Sequence, residues 1–134
     1  MKQLDTVDHQ ILQLLQDNAK YTIKEIATQL GMTTTPVYER IKRMEEEKLI
    51  RITAVTNIDR FRDATLAYIW IEVERSDQTR AVASALAEIG ELGFVGVMLG
   101  RSDILAITMV RNTEHLAKFI HQRISVIPGV RRTE

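Results

Sequence analysis

No cysteine occurs among the 134 residues, so neither a disulfide framework nor a thiolate metal site is available. An excess of one charge is missing too. Eighteen Lys and Arg balance 18 Asp and Glu, which leaves no global field to draw the chain onto nucleic acid or a membrane. No apolar run approaches the roughly 18 to 20 residues needed to cross a bilayer. The opening MKQLDTVDHQ lacks the apolar stretch of a secretion signal. The histidines His9, His115 and His121 form no i, i+4 pair, and no HExxH, P-loop or GxSxG pattern is present. These absences point away from catalysis and from a metal or other cofactor. The expectation is a soluble cytoplasmic protein with no membrane partner.

What the chain does have is enough apolar residues for a core, at 45%, and a typical charged fraction of 27%. The apolar period is helical from Leu4 to about Ile50. Val7, Ile11, Leu14 and Leu15 form one stripe of a first helix over about Asp5–Asn18, with Asp5 as N-cap and Asp8 in its electropositive first turn. A second helix starts near Thr22, where Glu25 completes a capping box, buries Ile23, Ile26, Ala27 and Leu30, and ends at Gly31. A third, over about Thr34–Glu47, buries Val37, Ile41 and Met44, with Pro36 in its first turn. A Gly-containing turn between the last two makes a helix-turn-helix.

RITAVTNIDR then alternates apolar and polar residues and reads as an extended linker strand. Beyond it come a strand (Leu66–Glu74), a helix (Asp77–Ile89), two strands (Phe94–Leu99 and Ile104–Val110), a helix (Thr113–Ser125) and a turn at Pro128-Gly129. The reading is α+β: a three-helix helix-turn-helix in 1–50, a linker strand in 51–64, and in 65–134 a ferredoxin-like βαββα(β) domain. Only VRRTE is left for its last strand, which is therefore short or missing. In LAYIWIEVE, Ala67, Ile69, Ile71 and Val73 face one way and Leu66, Tyr68 and Trp70 the other. Helices cover only one face of such a sheet, yet its central strands are apolar on both. The second face, with Leu66, Tyr68 and Trp70, is expected to be covered by a second subunit; a crossing linker or tail is the alternative.

With Val37, Ile41 and Met44 facing the core, Thr35, Glu39, Lys42 and Glu46 point outward and Tyr38 and Arg43 flank them. Arg40, beside the core stripe, suits either a buried ion pair or a phosphate. The N-terminal turns of a recognition helix meet base edges, so Thr34, Thr35 and Tyr38 are candidates for reading sequence, one threonine serving as cap. Lys42 and Arg43, farther along, suit phosphates. Residues 1–50 carry seven basic and eight acidic side chains, however, so a solvated amphipathic surface explains the same pattern.

LDTVDHQILQLLQDNAKYTIKEIATQLGMTTTPVYERIKRMEEEKLI resembles the N-terminal domain of the Lrp/AsnC, or feast/famine, regulators. The resemblance runs on through RITAVTNID and GRSDILAITMV to IPGVRRTE. It includes a Leu-Asp-x-x-Asp-x-x-Ile-Leu pattern at Leu4, Asp5, Asp8, Ile11 and Leu12, and a Gly-x-x-Asp at Gly100 and Asp103. It implies a transcription regulator that binds double-stranded DNA and responds to an amino acid. It further implies dimers formed through the sheet domain that assemble into octamers or larger rings. The recognition helix maps onto Thr33 to Glu45, with Thr33 joining Thr34, Thr35, Tyr38, Glu39, Lys42 and Arg43 as DNA-binding candidates. The effector loop maps onto Leu99, Gly100, Arg101, Ser102 and Asp103. Glycine there permits close backbone approach, and Asp103 suits a ligand ammonium. A tight turn in which Asp103 bonds its own backbone is the structural alternative. The chain departs from the family in having Ser102 where many relatives carry an aromatic residue, and in its short last strand. The competing functional reading is an assembly module of the same fold that no longer binds DNA.

Overall fold

The computed structural model describes residues 3–134, which divide into two compact units, the first ending at 55 and the second covering 56–134. In the first unit α1 (Thr6–Asp17), α2 (Ile23–Leu30) and α3 (Thr34–Glu46) enclose Ile11, Ile26, Ala27, Val37, Ile41 and Met44. α1 and α2 begin as their sequences dictate. Asp5 and Asp8 exchange side-chain-to-backbone bonds at 2.8 and 3.1 Å, and Thr22 and Glu25 do so at 3.1 and 2.7 Å, so each pair satisfies two otherwise orphaned N–H groups.

α3 begins differently from expectation. Thr33 occupies its N-cap position but makes no side-chain cap bond. Thr34, Thr35 and Pro36 are its first three residues, so Thr35 is no N-cap either. The proline's missing N–H is one of the orphans of that turn, which leaves less for a cap to satisfy.

α2 and α3 end with the same device. The N–H of Met32 bonds Ala27 O at 2.9 Å while Gly31 adopts φ 64°; the N–H of Leu49 bonds Met44 O at 2.8 Å while Lys48 adopts φ 55°. Both are Schellman closures, and glycine is the residue they favour at the left-handed position. Residues 51–57 carry no strand pairing, and a 3-10 turn follows at Ile58–Arg60, so the expected linker strand is not formed within the chain. Alternation describes the side chains of this segment correctly but supplies no hydrogen-bonding neighbour.

The second unit is a four-stranded antiparallel sheet in the order β2-β3-β1-β4, built from β1 (Thr65–Val73), β2 (Leu92–Val97), β3 (Ile104–Val110) and β4 (Val130–Thr133). α4 (Thr79–Ala87), after a 3-10 turn at Ser76–Gln78, and α5 (Thr113–Phe119), widening into a π-helical turn at Ile120–Ile124, supply the helices. The connectivity is that of a ferredoxin-like fold. Ile69, Ile71, Val73, Ile104 and Ala106 pack against Val82, Leu86, Phe119 and Ile124 as one buried cluster. β4 is present, although only four residues long. It pairs Ile71 with Thr133 and Glu72 with Arg132, and Trp70 exchanges both backbone bonds with Glu134 at 2.9 Å. Thr65–Ile69 therefore have no strand neighbour on that side among the described residues.

Replacing Lys48 with glycine should stabilise the first unit, because a residue with a Cβ held at φ 55° is strained by about 1 kcal/mol. Urea titration of Lys48→Gly against wild type should show a higher midpoint with an unchanged slope.

Candidate nucleic-acid interface and effector site

A buried carboxylate fixes the rotation of α3. Asp8 is 1% exposed, and such a group stays ionised only if its oxygens are fully bonded. Arg40 Nη1 donates to Asp8 Oδ1 at 2.8 Å and to both oxygens of Asp5 at 2.7 and 2.8 Å; Arg43 Nη2 donates to Asp8 Oδ2 at 2.7 Å. Burial pushes the Asp8 carboxyl up, but the Arg40 guanidinium, the Asp5 backbone N–H and Arg43 together outweigh it and hold its pKa at about 2. The bond from Arg40 also lowers Asp5, and Asp5 and Asp8 in turn raise Arg40. Of the two options open to Arg40, the ion pair is the one formed. Arg43, a phosphate candidate by position, has one nitrogen on Asp8, and its buried Nε has no partner.

The outward residues of α3 are free. Thr33, Thr34, Thr35, Tyr38, Glu39 and Lys42 are all exposed, Tyr38 at 51% although it is an aromatic. Lys42 makes only a long contact to Glu46, 3.8 Å, between two solvated side chains. The helix thus presents hydroxyls, a phenol, one carboxylate and one ammonium along its first three turns, with Glu45–Glu47 following.

In the second unit the loop between β2 and β3 holds Leu99, Gly100, Arg101, Ser102 and Asp103. Gly100 adopts φ 142°, a conformation that side chains with a Cβ rarely tolerate, and the space where a Cβ would sit is open. Asp103 does something neither sequence reading contained. Its Oδ2 accepts from the N–H of Val73 at 2.9 Å and its own N–H donates to Ile71 O at 3.1 Å, so the residue extends the β3 ladder along β1. No local pattern reveals this, because the partner lies 30 residues away.

A cavity of about 340 Å³ opens beside the loop, lined by Trp70, Met98, Leu99, Arg101, Ser102 and Glu134. Arg101 Nη2 stands 3.5 Å from Glu134 Oε1, which also accepts from Arg132 at 2.5 Å. Trp70, Met98 and Glu134 were not among the candidates for this site. Trp70 reaches it from the free sheet face, and Glu134 is brought in only by its backbone pairing with Trp70 beyond β4. Leu66, Tyr68 and Trp70 all lie, as the alternation required, on the sheet face opposite the helices. Among the described residues no group of acidic or histidine side chains is arranged to hold a metal ion, and no helix is long and apolar enough to cross a membrane.

A three-helix unit with an exposed recognition helix, joined to an antiparallel α+β sheet domain, defines a DNA-binding transcriptional regulator rather than an enzyme. Residues 4–51 match the winged helix-turn-helix DNA-binding family, and residues 61–134 match the family described as the PF0864 C-terminal dimeric alpha+beta barrel domain. An uncharacterized HTH-type transcriptional regulator of Pyrococcus abyssi is 32% identical over 98% of this chain and 84% of its own length. The HTH-type transcriptional regulator FL11 of the same organism is 33% identical over 97% of this chain and 85% of its own. Among solved structures, the leucine response regulatory protein of Mycobacterium tuberculosis superposes with a TM-score of 0.74 at 22% identity, covering 98% of this chain and 90% of that one. The transcriptional regulator NMB0573 of Neisseria meningitidis, in complex with L-Met, gives 0.62 at 20%, covering 98% and 87%. The chain belongs to the Lrp/AsnC family of transcriptional regulators.

The Asp8 cluster makes a pH prediction. A carboxyl whose folded pKa is about 2 against an ordinary 3.8 adds stability that is fully present above about pH 5 and is lost as pH falls through about 2. The amount is on the order of 2 kcal/mol. Asp8→Asn should flatten that acid limb in denaturant titrations. It should also cost about 3 kcal/mol at neutral pH, since Arg43 loses its only bonded partner.

Proposed function

We propose that the protein is a DNA-binding regulator whose oligomer responds to a free amino acid bound beside the loop Leu99–Asp103. The observation that carries this reading is the pairing of opposite charges across an apolar cavity. A free amino acid is a zwitterion; Arg101 suits its carboxylate and Glu134 its ammonium, while Trp70, Met98 and Leu99 receive an apolar side chain. The 3.5 Å separation of Arg101 and Glu134 is a weak pair, so a ligand inserted between them forfeits little. In this arrangement Asp103, which does not itself line the cavity, sets the loop against β1 through Oδ2. The L-Met complex of the Neisseria relative supports the same ligand class.

DNA binding is assigned to the outer face of α3. Thr34, Thr35 and Tyr38 read base edges, Thr33 lies at the helix entrance, and Lys42 is the phosphate contact of that face. Arg43 contributes to phosphate attraction through whatever charge its pairing with Asp8 leaves. A homodimer buries the free sheet face, where Leu66, Tyr68, Trp70, Phe94 and Met109 are each more than a third exposed. Phe94 lies flat on this face because Gly96 has no Cβ; one would stand 2.7 Å from the ring. Leu99, fully exposed at the loop tip, supports a further contact between dimers, hence an octamer or other higher assembly.

Thermal-shift screening of the twenty amino acids is the direct test. An apolar amino acid should raise the melting temperature, and Arg101→Ala or Asp103→Ala should weaken that response by tenfold or more in ligand concentration (about 1.4 kcal/mol). No shift with any amino acid at high concentration would overturn the effector reading. Trp70→Glu places an unpaired charge on the free face and should give monomers by light scattering. An unchanged oligomer would remove Trp70 from the interface.

A further inference from the structure

The carboxylate of Glu39 stands out on the exposed face of α3. A surface glutamate on a helix ordinarily finds a cation four residues on, and Arg43 is in that position. Here Arg43 is turned to Asp8 at 2.7 Å, Arg40 is bound by Asp5 and Asp8, and Lys42 lies toward Glu46. Among the described residues Glu39 has no ion-pair or hydrogen-bond partner. It is exposed and lines a shallow cleft of about 350 Å³ with Pro36, Arg40 and Arg43.

An unpaired negative charge on the face presented to a polyanion is repelled by phosphates. It becomes favourable only against a hydrogen-bond donor, and the floor of the major groove offers two, the N4 amino group of cytosine and the N6 amino group of adenine. Adenine sets an acceptor, N7, next to its donor, and a carboxylate has only acceptors to offer. Cytosine presents its amino group without a neighbouring acceptor on the same base. Glu39 is five residues past the start of α3, within the turns that approach base edges.

We propose that Glu39 is a specificity-determining residue that accepts a hydrogen bond from cytosine N4, fixing one C·G pair in each half of the target site. The Asp8 cluster is its positioning device, because it withdraws the two arginines that would otherwise neutralise Glu39. The proposal rests on the reading that α3 enters the major groove.

The test is selection of duplexes from a random pool by full-length wild type, Glu39→Gln and Glu39→Ala. Affinities are then titrated on the selected site and on random DNA, with melting temperatures alongside. Wild type should enrich a C·G pair at one position per half-site. Glu39→Gln should convert that position to A·T, since an amide matches the donor and acceptor of adenine. Glu39→Ala should leave the position degenerate, with discrimination there reduced about tenfold. Its affinity for random DNA should rise, because a repelled charge is gone. That combination of lost discrimination and gained non-specific binding is not produced by a loss of stability. If all three proteins select the same base at every position, the Glu39 assignment is overturned while reading by α3 stands. If wild type enriches no sequence, the groove-reading role of α3 fails and the assignment with it.

Discussion

The buried Asp8 carboxylate is the constraint on which the DNA-binding unit turns. An anion with 1% exposure needs its acceptors filled, and the two arginines that fill them lie one turn apart on α3, at 40 and 43. Those two bonds set which side of α3 faces α1. What remains outward is then settled as well: Thr34, Thr35, Tyr38, Glu39 and Lys42. The same interaction supports the fold and removes basic charge from the surface. Lys42 is left as the one basic side chain on the outer face that Asp8 does not engage, and the face becomes more polar than cationic.

A comparable economy governs the second unit. Two helices cover one side of a four-stranded sheet, and the residues on the other side remain apolar. Antiparallel sheets with a solvated face carry polar side chains there. Tyr68 at 56% exposure and Trp70 at 39%, neighbours along one face of β1, are costly in water and inexpensive against a second copy. Trp70 belongs to both features of this unit, since it stands on the free face and also lines the cavity beside the loop. A ligand there would touch a residue of the proposed dimer face directly, which would give the proposed effector binding a short route to assembly without a long chain of intermediates.

Much of this architecture was legible because it is locally encoded. Ile11, Ile26, Val37, Ile41 and Met44 recur at helical spacing and are buried in the first unit; Asp5 and Thr22 cap as their sequences indicate. The alternation in β1 gave the correct inward and outward sets. The errors arose where a partner distant in sequence decides the outcome. Residues 51–57 alternate like a strand but pair with no strand of the chain, whereas VRRTE does form the short last strand, because β1 offers it a ladder. Thr33 lies at the cap position without capping. The role of Asp103 was hidden for the same reason: a carboxylate four residues past a loop leucine shows no sign that a backbone N–H at Val73 awaits it. Glu134 joined the cavity only through the pairing of β4.

The charge balance bears on why such a regulator would be oligomeric. Residues 1–50 contain seven bases and eight acids, and two of the bases, Arg40 and Arg43, are spent inside the unit. A single DNA-binding unit therefore neutralises few phosphates, and since affinity for DNA scales with the number neutralised, it binds weakly alone. Tethering two such units through the sheet domain changes the second binding event into an intramolecular one. Its effective concentration is set by the connecting segment, and the gain amounts to roughly 10² to 10⁴ without any new contact. Weak electrostatics in each unit then becomes useful. With little affinity placed in sequence-independent attraction, a correctly spaced pair of half-sites would carry a larger share of the binding energy under the proposed reading by α3. The low net charge that first counted against nucleic acid is in this light a condition for selectivity, provided that the sheet face holds two copies together.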